Sequence, residues 1–563
     1  MKSLLFLAGL ATAAATSCRC FPGDACWPSV DTWNQFNRSI DGRLVATVPL
    51  GLPCHDPHYD EELCAQLRED WTLPEPHYES SSSIMAPFFA NDSCDPFHAV
   101  EKPCTLGNYI SYAVNISHPT HVSKALHFAQ THNIRLVIRN TGHDFNGKST
   151  GAGALGLWTH NLKDIKIHHA YHDDDDAFYS GPAITMGAGV QGFKAYAAAD
   201  DGVPGLVGGE CPSVGIAGGY TQGGGHSALS SRYGLAADQA LAWEVVDGQG
   251  RHIVATRGNE HADLYWALSG GGGGTYAVVL SLTAKLYPST PVSGLNLTFS
   301  VSSANDDDDD DDDDGDDGVD REVFFEAIGL FQKVQPALVD AGAMAISTFT
   351  NSSFVLSPLT GPNIPVAELE RLLEPFTTGL DDLGSVEVAS VQYGGWMIPR
   401  SVVASNNDAL TAAYRYIVEA GATVINVGLN VSRAVVGGDV ENAVLPAWRE
   451  TLIHTTLATP WVWNAPREMR ESQRRMTEEF VPRLRQLAPE SGAYLNEADF
   501  RQPGFQRAIY GGNYERLRAV KAVYDPADPF YGLTAVGSDE WVERADGRLC
   551  RVVAEGKDVL REL

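Results

Sequence analysis

Two glycine-rich stretches constrain the fold of this chain more than any other feature of its sequence. Glycines and other small residues recur throughout residues 187–225, and five consecutive glycines occupy residues 270–274. A glycine has no side chain, so it lets the backbone approach another group closely. We therefore expect the first stretch to run against a planar cofactor. The five-glycine run lies between apolar segments, which predicts a tight buried turn rather than a flexible linker.

Two nucleophilic side chains are candidates for bonds to such a cofactor: His143 lies before the first stretch, and Cys211 lies within it. One follows a predicted buried strand at residues 134–138, in the segment Arg139, Asn140, Thr141, Gly142, His143 and Asp144. The other is Cys211, which precedes Pro212 and Gly215. A strand that ends in a glycine turn presents backbone N–H groups, which make a natural cradle for phosphate. Imidazole and thiolate are nucleophilic enough to add to an electron-poor ring.

The charge and the N-terminus of the chain limit its partners and its compartment. The 563 residues carry a formal net charge of −31, which argues against a nucleic-acid partner because phosphate backbones require a surplus of Lys and Arg. Residues 1–17 have the pattern of a secretory signal peptide, and no later segment reaches the roughly 18 apolar residues of a membrane span. We therefore expect a secreted, extracellular protein. Six N-glycosylation sequons agree with this, at Asn37, Asn91, Asn115, Asn296, Asn351 and Asn430.

The cysteine count is odd, which leaves one thiol over after pairing. Seven of the nine cysteines lie within residues 18–104, and only Cys211 and Cys550 follow. If Cys211 holds a cofactor, eight cysteines remain for up to four disulfides in an oxidising compartment. The alternative is a buried free Cys211 with arbitrary pairing elsewhere.

Shifts in composition divide the mature chain into four parts. Residues 18–104 predict a disulfide-held N-terminal extension, and residues 105–288 contain the glycine-rich stretches. Residues 289–493 alternate between strand and helix patterns, which predicts a separate α+β domain, and residues 494–563 form a closing segment. Within the third part, strands are expected at residues 343–350, 386–391 and 423–431, and helices at 322–334, 366–373, 409–420 and 467–487.

Two aspartate runs, at residues 173–176 and 306–314, predict solvated loops because adjacent like charges repel each other. A calcium site is the alternative for the longer run. That run lacks the spaced ligands and the turn glycine of a dedicated calcium loop. We therefore expect no metal ion.

The order of the motifs resembles one flavoprotein family. The His143 and Cys211 segments and the glycine runs are followed by a closing segment with Tyr494 and Asn513. In this order they resemble the berberine-bridge-enzyme-like branch of the FAD-linked oxidases, in the vanillyl-alcohol-oxidase superfamily, over roughly residues 100–290 and 490–545. The resemblance implies an α+β fold in which a PCMH-type, two-part FAD-binding domain is joined to an α+β substrate domain with an antiparallel sheet.

The resemblance also implies how the cofactor is held. FAD would be bound covalently through His143, to the 8α-methyl carbon, and through Cys211, to ring carbon 6. The other cofactor-binding residues that it implies are Arg139, Asn140, Thr141, Gly142, Asp144, Pro212, Gly215, Gly218, Gly219, Gly223, Gly224, His226, Asn513 and Tyr514. NAD is not expected, because the sequence lacks a strand, G-x-G-x-x-G and helix unit with an acidic residue about twenty positions on.

The activity that the resemblance implies is oxidation of an alcohol, a carbohydrate or a secondary metabolite. A hydride passes to the flavin N5, and O2 is reduced to H2O2. Such a reaction requires a base within hydrogen-bond reach of the substrate proton. The alternative is a flavin-bearing protein with little turnover, which acts as a binding or structural component.

Three residues of the closing segment are candidates for that base. Tyr494 lies where the family places a tyrosine over the flavin, although its ordinary pKa of about 10 requires help from a neighbouring group. Glu497 and Asp499 follow at alternate positions, so they would face the pocket together if the segment is extended. An ordinary strand tyrosine and surface carboxylates are the alternatives.

Overall fold

The computed structural model describes residues 18–552, except residues 92, 173–178, 200–204, 301–320, 378–391, 439 and 464. The predicted signal peptide, both aspartate runs and the predicted strand at 386–391 lie outside the described residues.

A four-stranded sheet takes its first strand from the N-terminal extension and its other three strands from the segment that follows. Its strand order is β1-β2-β4-β3, in which β2, β4 and β3 are parallel and β1 is antiparallel to β2. The predicted strand at residues 134–138 is confirmed as β3, which delivers Arg139 to the loop of His143. The elements of this part are α1 (Val30–Ser39), β1 (Leu44–Ala46), α2 (Glu61–Asp70), α3 (Pro74–Glu79), β2 (Tyr112–Asn115), α4 (Pro119–Thr131), β3 (Leu136–Arg139) and β4 (Leu155–Trp158).

A five-stranded antiparallel sheet forms the second part of the expected two-part FAD-binding domain. Its strand order is β5-β6-β9-β7-β8. The glycine run at residues 270–274 joins α8 to β9, and its first three residues are buried, which confirms the predicted buried turn. Gly270 has a φ of 111°, a backbone conformation that favours glycine. The elements are β5 (Ile165–His172), β6 (Ser180–Gly187), α5 (Gly192–Ala199), α6 (Thr221–Gly223), α7 (Ser230–Tyr233), β7 (Ala240–Asp247), β8 (His252–Thr256), α8 (Ala262–Leu268) and β9 (Ala277–Lys285).

A six-stranded antiparallel sheet forms the third layer, as predicted for the substrate domain, with the order β10-β12-β11-β14-β15-β13. Helices α9, α10 and α11 pack together beside it. The elements are β10 (Val292–Ser300), α9 (Arg321–Asp340), β11 (Met344–Phe349), β12 (Ser353–Pro362), α10 (Val366–Thr377), β13 (Gln392–Pro399), α11 (Arg400–Glu419), β14 (Thr423–Gly428), α12 (Arg433–Val436), β15 (Thr451–Thr459), α13 (Pro466–Arg475) and α14 (Val481–Leu487).

Two of the predicted helices differ from the observed ones. The helix expected at residues 409–420 begins earlier, at Arg400, with a kink at Asn406. The helix expected at residues 467–487 is divided into α13 and α14 by a wider π-type turn, Met476–Phe480. Pro482, near the start of α14, lacks the N–H that a regular continuous helix would use at that position.

Strand β15 lies between β14 and β13, and all nine of its residues are buried. Its threonines can be buried because their hydroxyl groups form hydrogen bonds inside the protein. The Thr455 hydroxyl, for example, lies 2.6 Å from the Tyr414 hydroxyl and donates to Asn426 Oδ1. The same strand carries His454 into the interior.

Four disulfides and one free cysteine confirm the predicted cysteine arrangement. The pairs are Cys18–Cys550, Cys20–Cys26, Cys54–Cys64 and Cys94–Cys104. Among the residues that the structure describes, Cys211 is the free cysteine, and its side chain is exposed.

The closing segment returns to the five-stranded sheet. Helix α15 (Tyr514–Tyr524) packs against α8, and a short hairpin of β16 (Trp541–Glu543) and β17 (Leu549–Arg551) follows it. Within the described ranges, no helix combines the length and the apolar character that a bilayer crossing requires.

Candidate functional site

The structure brings His143 and Cys211 together at one serine. His143 Nε2 lies 2.9 Å from the Ser213 hydroxyl oxygen, and Cys211 Sγ lies 3.6 Å from the same oxygen. We call these three residues the anchor group. A neutral imidazole and an exposed free thiol therefore converge on one small region.

The anchor imidazole is uncharged at neutral pH. Burial, and then the nearby His77, lower the pKa of His143 to about 4. An unprotonated ring keeps a lone pair on one nitrogen, which nucleophilic addition requires. The pKa of His77 is lowered too, mainly by burial, and its ring lies 2.7 Å from the Trp71 carbonyl oxygen.

Arg139 and Gly142 fix the loop of His143 against the N-terminal extension. The buried guanidinium of Arg139 donates to the Ser80 and His77 carbonyls at 2.9 and 2.7 Å. Gly142 has a φ of 85°, and a Cβ there would lie 3.0 Å from the Arg139 guanidinium. Arg139 thus holds protein backbone in this structure, so its expected contact with the cofactor stays a prediction.

Asp144 organises the rest of that loop. Its carboxylate accepts hydrogen bonds from the backbone N–H groups of Asn146 and Ser149, both at 3.1 Å. Asn146 in turn donates to the Leu495 carbonyl at 3.0 Å, which connects the loop to the closing segment. Thr141 is buried beside it.

Several glycines of the first stretch make room for neighbouring amides. Added Cβ atoms at Gly215 and Gly218 would lie 2.6 and 2.7 Å from Asn140 Nδ2, which donates to the Ala188 carbonyl at 2.5 Å. An added Cβ at Gly223 would lie 2.2 Å from Asn496 Oδ1. These positions exclude any larger residue.

Gly219 differs from these glycines because its Cα faces open space. An added Cβ there would meet no atom within 4 Å, and the residue is exposed. Two buried amide oxygens nearby, Asn140 Oδ1 and Gln222 Oε1, have no hydrogen-bond partner within the described ranges. An open backbone surface, unpaired polar atoms and two nucleophiles fit a flavin.

The Tyr494 hydroxyl is buried and already engaged. Its oxygen accepts hydrogen bonds from the Gly225 N–H at 3.0 Å and from Asn496 Nδ2 at 2.7 Å. Burial, and then the Glu497 carboxylate, raise the pKa of Tyr494 above its ordinary value. Burial and Glu497 therefore keep the phenol protonated and unable to accept a proton, and its predicted role as the base stays a prediction.

Two carboxylates and two imidazoles form a cluster next to Tyr494. His226 Nε2 lies 3.0 Å from Glu497 Oε1, and His454 Nε2 lies 2.7 Å from Glu497 Oε2. The other ring nitrogen of His226 lies 3.3 Å from Glu210 Oε2, an ion-pair contact outside the geometry of an aligned hydrogen bond. We call Glu210, His226, His454 and Glu497 the carboxylate–imidazole cluster.

The charges in this cluster support one another. Burial alone would raise the pKa of Glu497, but the attraction of His226 and then of His454 lowers it well below its ordinary value. Burial alone would lower the pKa of His226, but Glu210 and Glu497 raise it well above its ordinary value. Glu497 is therefore ionised and His226 protonated at neutral pH.

Asp499 does not join the cluster, because the closing segment turns instead of extending. The Glu497 N–H donates to the Tyr494 carbonyl at 3.0 Å, and this turn sends the two carboxylates in different directions. Asp499 Oδ1 accepts from Gln473 Nε2 at 2.8 Å, and burial raises the pKa of Asp499. The backbone is therefore not extended here, and Glu497 and Asp499 do not face one pocket together.

The remaining residues expected at the cofactor contact backbone or protein side chains. Asn513 Nδ2 donates to the Val444 carbonyl at 3.0 Å, and the Tyr514 hydroxyl donates to Asp539 at 3.1 Å. The Pro212 carbonyl accepts from the Phe193 N–H at 2.8 Å. Gly224 has a φ of 129°, and a Cβ there would lie 3.4 Å from the Tyr494 ring.

Sequence reasoning missed His454, Glu210 and Trp448. The Trp448 ring centroid lies 5.3 Å from that of Tyr494 and 5.5 Å from that of His454, so it forms one wall of the cluster. A signal for His454 was present, since a lone histidine in a fully buried strand needs a polar partner.

Comparisons with known proteins agree with this geometry. Residues 110–256 match the family described as "FAD binding domain", and residues 493–536 match "Berberine and berberine like". The chain is 48% identical to "FAD-linked oxidoreductase patO" of Aspergillus clavatus, over 96% of this chain and 95% of that protein. It is 41% identical to "VAO-type flavoprotein oxidase VAO615" of Thermothelomyces thermophilus, over 97% and 98%.

Solved structures extend the comparison. The crystal structure of VAO-type flavoprotein MtVAO615 from Myceliophthora thermophila C1 has a TM-score of 0.86 and 40% identity, with 95% of this chain and 100% of that chain covered. Berberine bridge enzyme from Eschscholzia californica shares the fold, with a TM-score of 0.63 and 14% identity over 89% and 98%. The chain belongs to the berberine-bridge-enzyme-like FAD-linked oxidoreductases of the vanillyl-alcohol-oxidase type.

Proposed function

We propose that this protein is a secreted oxidase with FAD attached through both His143 and Cys211, and that it oxidises an alcohol, a carbohydrate or a secondary metabolite while O2 is reduced to H2O2. The observation that carries the proposal is the anchor group. A neutral imidazole and a free thiol both lie within 3.6 Å of one serine hydroxyl. The other eight cysteines are paired in disulfides, so Cys211 remains available for a bond to the cofactor.

Bound FAD supplies the electron-accepting ring, with N5 as the hydride acceptor. The residues of this chain have three other tasks. The anchor group holds the ring in place, the open backbone at Gly219 gives it room, and the carboxylate–imidazole cluster receives the substrate proton.

Glu497 is the proton acceptor in this proposal. It is ionised, and its side chain is 19% exposed, whereas the His454 side chain is fully buried. Two imidazoles and the Thr456 hydroxyl, at 2.8 Å, hold the carboxylate in one orientation. Because these contacts also lower its proton affinity, the proton moves as the hydride leaves and the substrate hydroxyl becomes strongly acidic.

Tyr494 and Trp448 shape the site around that carboxylate. The Tyr494 hydroxyl fixes the Gly225 N–H and the Asn496 amide, while the aromatic rings of both residues border the cluster. An aromatic wall beside an ionised carboxylate suits a neutral substrate with a hydroxyl group and a largely apolar body.

Secretion is supported by the disulfides, which persist in oxidising compartments. Among the six sequon asparagines, Asn91, Asn296 and Asn351 are exposed and suited to carry N-glycans. Intact-mass measurement before and after deglycosylation tests this part of the proposal.

Denaturation tests the covalent attachment directly. We expect the flavin to remain with the polypeptide after acid or detergent treatment, and a mass analysis of the peptides should find it on the peptides of His143 and Cys211. The variants His143→Ala and Cys211→Ala should each retain one bond, while the double variant releases all its FAD. Ser213→Ala, which removes the shared hydroxyl but neither nucleophile, is the matched control and should retain both bonds.

Peroxide release on a panel of alcohols, sugars and polycyclic secondary metabolites tests the activity. Anaerobic flavin reduction should accompany every active substrate. If none of the panel reduces the flavin of correctly folded protein, the oxidase proposal fails and the low-turnover alternative replaces it.

A further inference from the structure

Three residues of the carboxylate–imidazole cluster place potential metal-ligand atoms close together. One ligand atom each from His226, His454 and Glu497 lies within 4.8 Å of the others. The three residues come from distant parts of the chain: the loop after Gly225, the buried strand β15, and the turn after Tyr494. Because three separate elements hold the side chains, their convergence does not depend on one mobile loop.

The spacing suits a tetrahedral ion. Nitrogen and oxygen ligands bind zinc at about 2.0–2.2 Å, which places neighbouring ligands roughly 3.3 Å apart. The two nitrogen-to-oxygen distances within the cluster are 3.0 and 2.7 Å. The two imidazoles contact different oxygens of Glu497, so an ion bound by all three residues would require their side chains to adjust and would replace the protons that now mediate these contacts.

The surroundings of His226 resemble those of a metal ligand. Its second ring nitrogen, Nδ1, lies 3.3 Å from Glu210 Oε2. Histidines that bind metals commonly have this second nitrogen oriented by a carboxylate, which fixes the ring and strengthens the bond to the ion. His454 Nδ1 has no hydrogen-bond partner within the described ranges, and packing against Trp448 and Tyr494 orients its ring instead.

A second group of donor atoms makes a useful contrast. Cys20, Asp24 and Cys26 also lie close together, but their two sulfurs form a disulfide, so neither is available as a thiolate. Both imidazoles of the carboxylate–imidazole cluster can bind an ion, with release of the protons that their Nε2 atoms now share with Glu497. Glu210 and Glu497 together supply two negative charges, which matches a divalent ion.

We propose that His226, His454 and Glu497 form a binding site for one divalent transition-metal ion of the zinc class, with a fourth coordination position open. Two imidazoles and one carboxylate are a donor set that zinc accepts, and imidazoles disfavour Mg²⁺ and Ca²⁺. The ion would occupy the oxygens of Glu497, so it inhibits flavin reduction. This inhibitory effect rests on the proposed function of Glu497, whereas the binding site does not.

Calorimetric titration of the holoenzyme with ZnCl2 tests the site, and Co²⁺ serves as a spectroscopic probe. We expect one Zn²⁺ per chain, the visible absorption of tetrahedral Co²⁺, and no binding of Mg²⁺. Glu497→Gln and His454→Gln should abolish binding. Glu210→Gln keeps all three ligands and alters a partly exposed residue, and it should weaken binding about 10–100-fold.

His252→Gln is the matched control, because His252 pairs with Glu244 at 2.8 Å on the exposed surface and should not affect the site. Absence of stoichiometric Zn²⁺ binding to the wild-type holoenzyme overturns the proposal, as does unchanged binding in both Glu497→Gln and Glu210→Gln. Zn²⁺ binding that leaves anaerobic flavin reduction unchanged supports the site and overturns the role of Glu497 as proton acceptor.

Discussion

The two halves of the site are built in opposite ways. In the anchor group the His143 imidazole is neutral, and the three residues lie in two short glycine-rich segments. The carboxylate–imidazole cluster is charged, and it joins Glu210 and His226, in and just after the first glycine-rich stretch, to His454 and Glu497 much later in the chain. The comparison shows that the two nucleophiles can be recognised from local glycine-rich segments, whereas a charged cluster must be assembled by the fold so that each buried charge meets its partner.

The largest expected effect comes from changing the cluster at its central carboxylate. Glu497→Gln removes the proton acceptor, so anaerobic flavin reduction should slow by about 10²–10⁴-fold. Asp499→Asn is the matched control, because it makes the same chemical change two residues away without contact to either cluster histidine. Stopped-flow measurements compare the two variants. Equal rates for Glu497→Gln and wild type would clear Glu497 of the role.

The anchor half is tested by two adjacent glycines. Gly218→Ala would place a methyl group 2.7 Å from Asn140 Nδ2, so we expect a loss of about 1–3 kcal/mol in the free energy of unfolding. Gly219→Ala meets no atom within 4 Å, and it should fold normally with a change below about 0.5 kcal/mol.

The flavin content of these two variants sharpens the comparison further. If the ring lies over Gly219, Gly219→Ala should be stable but poor in flavin, as measured by the ratio of flavin to protein absorbance. Full flavin loading of Gly219→Ala would place the ring elsewhere.

The difference between the two halves also explains what the sequence could predict. The His143 loop, the free Cys211 and the buried five-glycine turn were accessible because glycine spacing and cysteine parity are local signals. The strands β11 and β14 were expected from alternating strand and helix patterns, while the antiparallel sheet that they join was implied by the family resemblance. These features depend on neighbours in the chain.

The cluster was only partly accessible, for a physical reason. Glu497 was named from its position after Tyr494. It would share a pocket face with Asp499 only in an extended backbone, and a turn at Tyr494 replaces that backbone. His454 lies in an otherwise uncharged strand, and its partner is supplied only when β15 packs against the closing segment. Contacts of this kind have no signal at fixed sequence spacing.

Tyr494 lies at the border of the cluster, and replacing it distinguishes a structural role of this residue from a catalytic one. Tyr494→Phe leaves the buried Gly225 N–H without its acceptor, which costs about 1–3 kcal/mol, while the Asn496 amide keeps its hydrogen bond to the Gly219 carbonyl at 3.1 Å. Because its raised pKa keeps Tyr494 protonated, so that the phenolate that could accept a proton is not populated, flavin reduction should slow by less than about tenfold. Thermal unfolding and stopped-flow reduction measure the two effects. A slowing of 10²-fold or more, with stability retained, would restore Tyr494 as the base.

The smallest effect concerns the pH dependence of stability in the anchor half. The pKa of His143 is about 4 in the folded chain, below its ordinary value of 6.5, so the unfolded chain binds more protons between these two values. This contribution is complete above pH 6.5 and is lost as the pH falls toward 4, by about 1 kcal/mol per pH unit at most.

The measurement uses flavin-free protein, because a covalent bond at His143 would replace the titrating nitrogen. Denaturant unfolding from pH 7 to 4.5 should show a steeper loss of stability in the wild type than in His143→Gln, which cannot gain that proton. The comparison of the two slopes cancels the titration of every other group. Parallel slopes would mean that the ring of His143 is open to solvent before the flavin binds. The buried, uncharged state of this ring would then be a property of the holoenzyme alone.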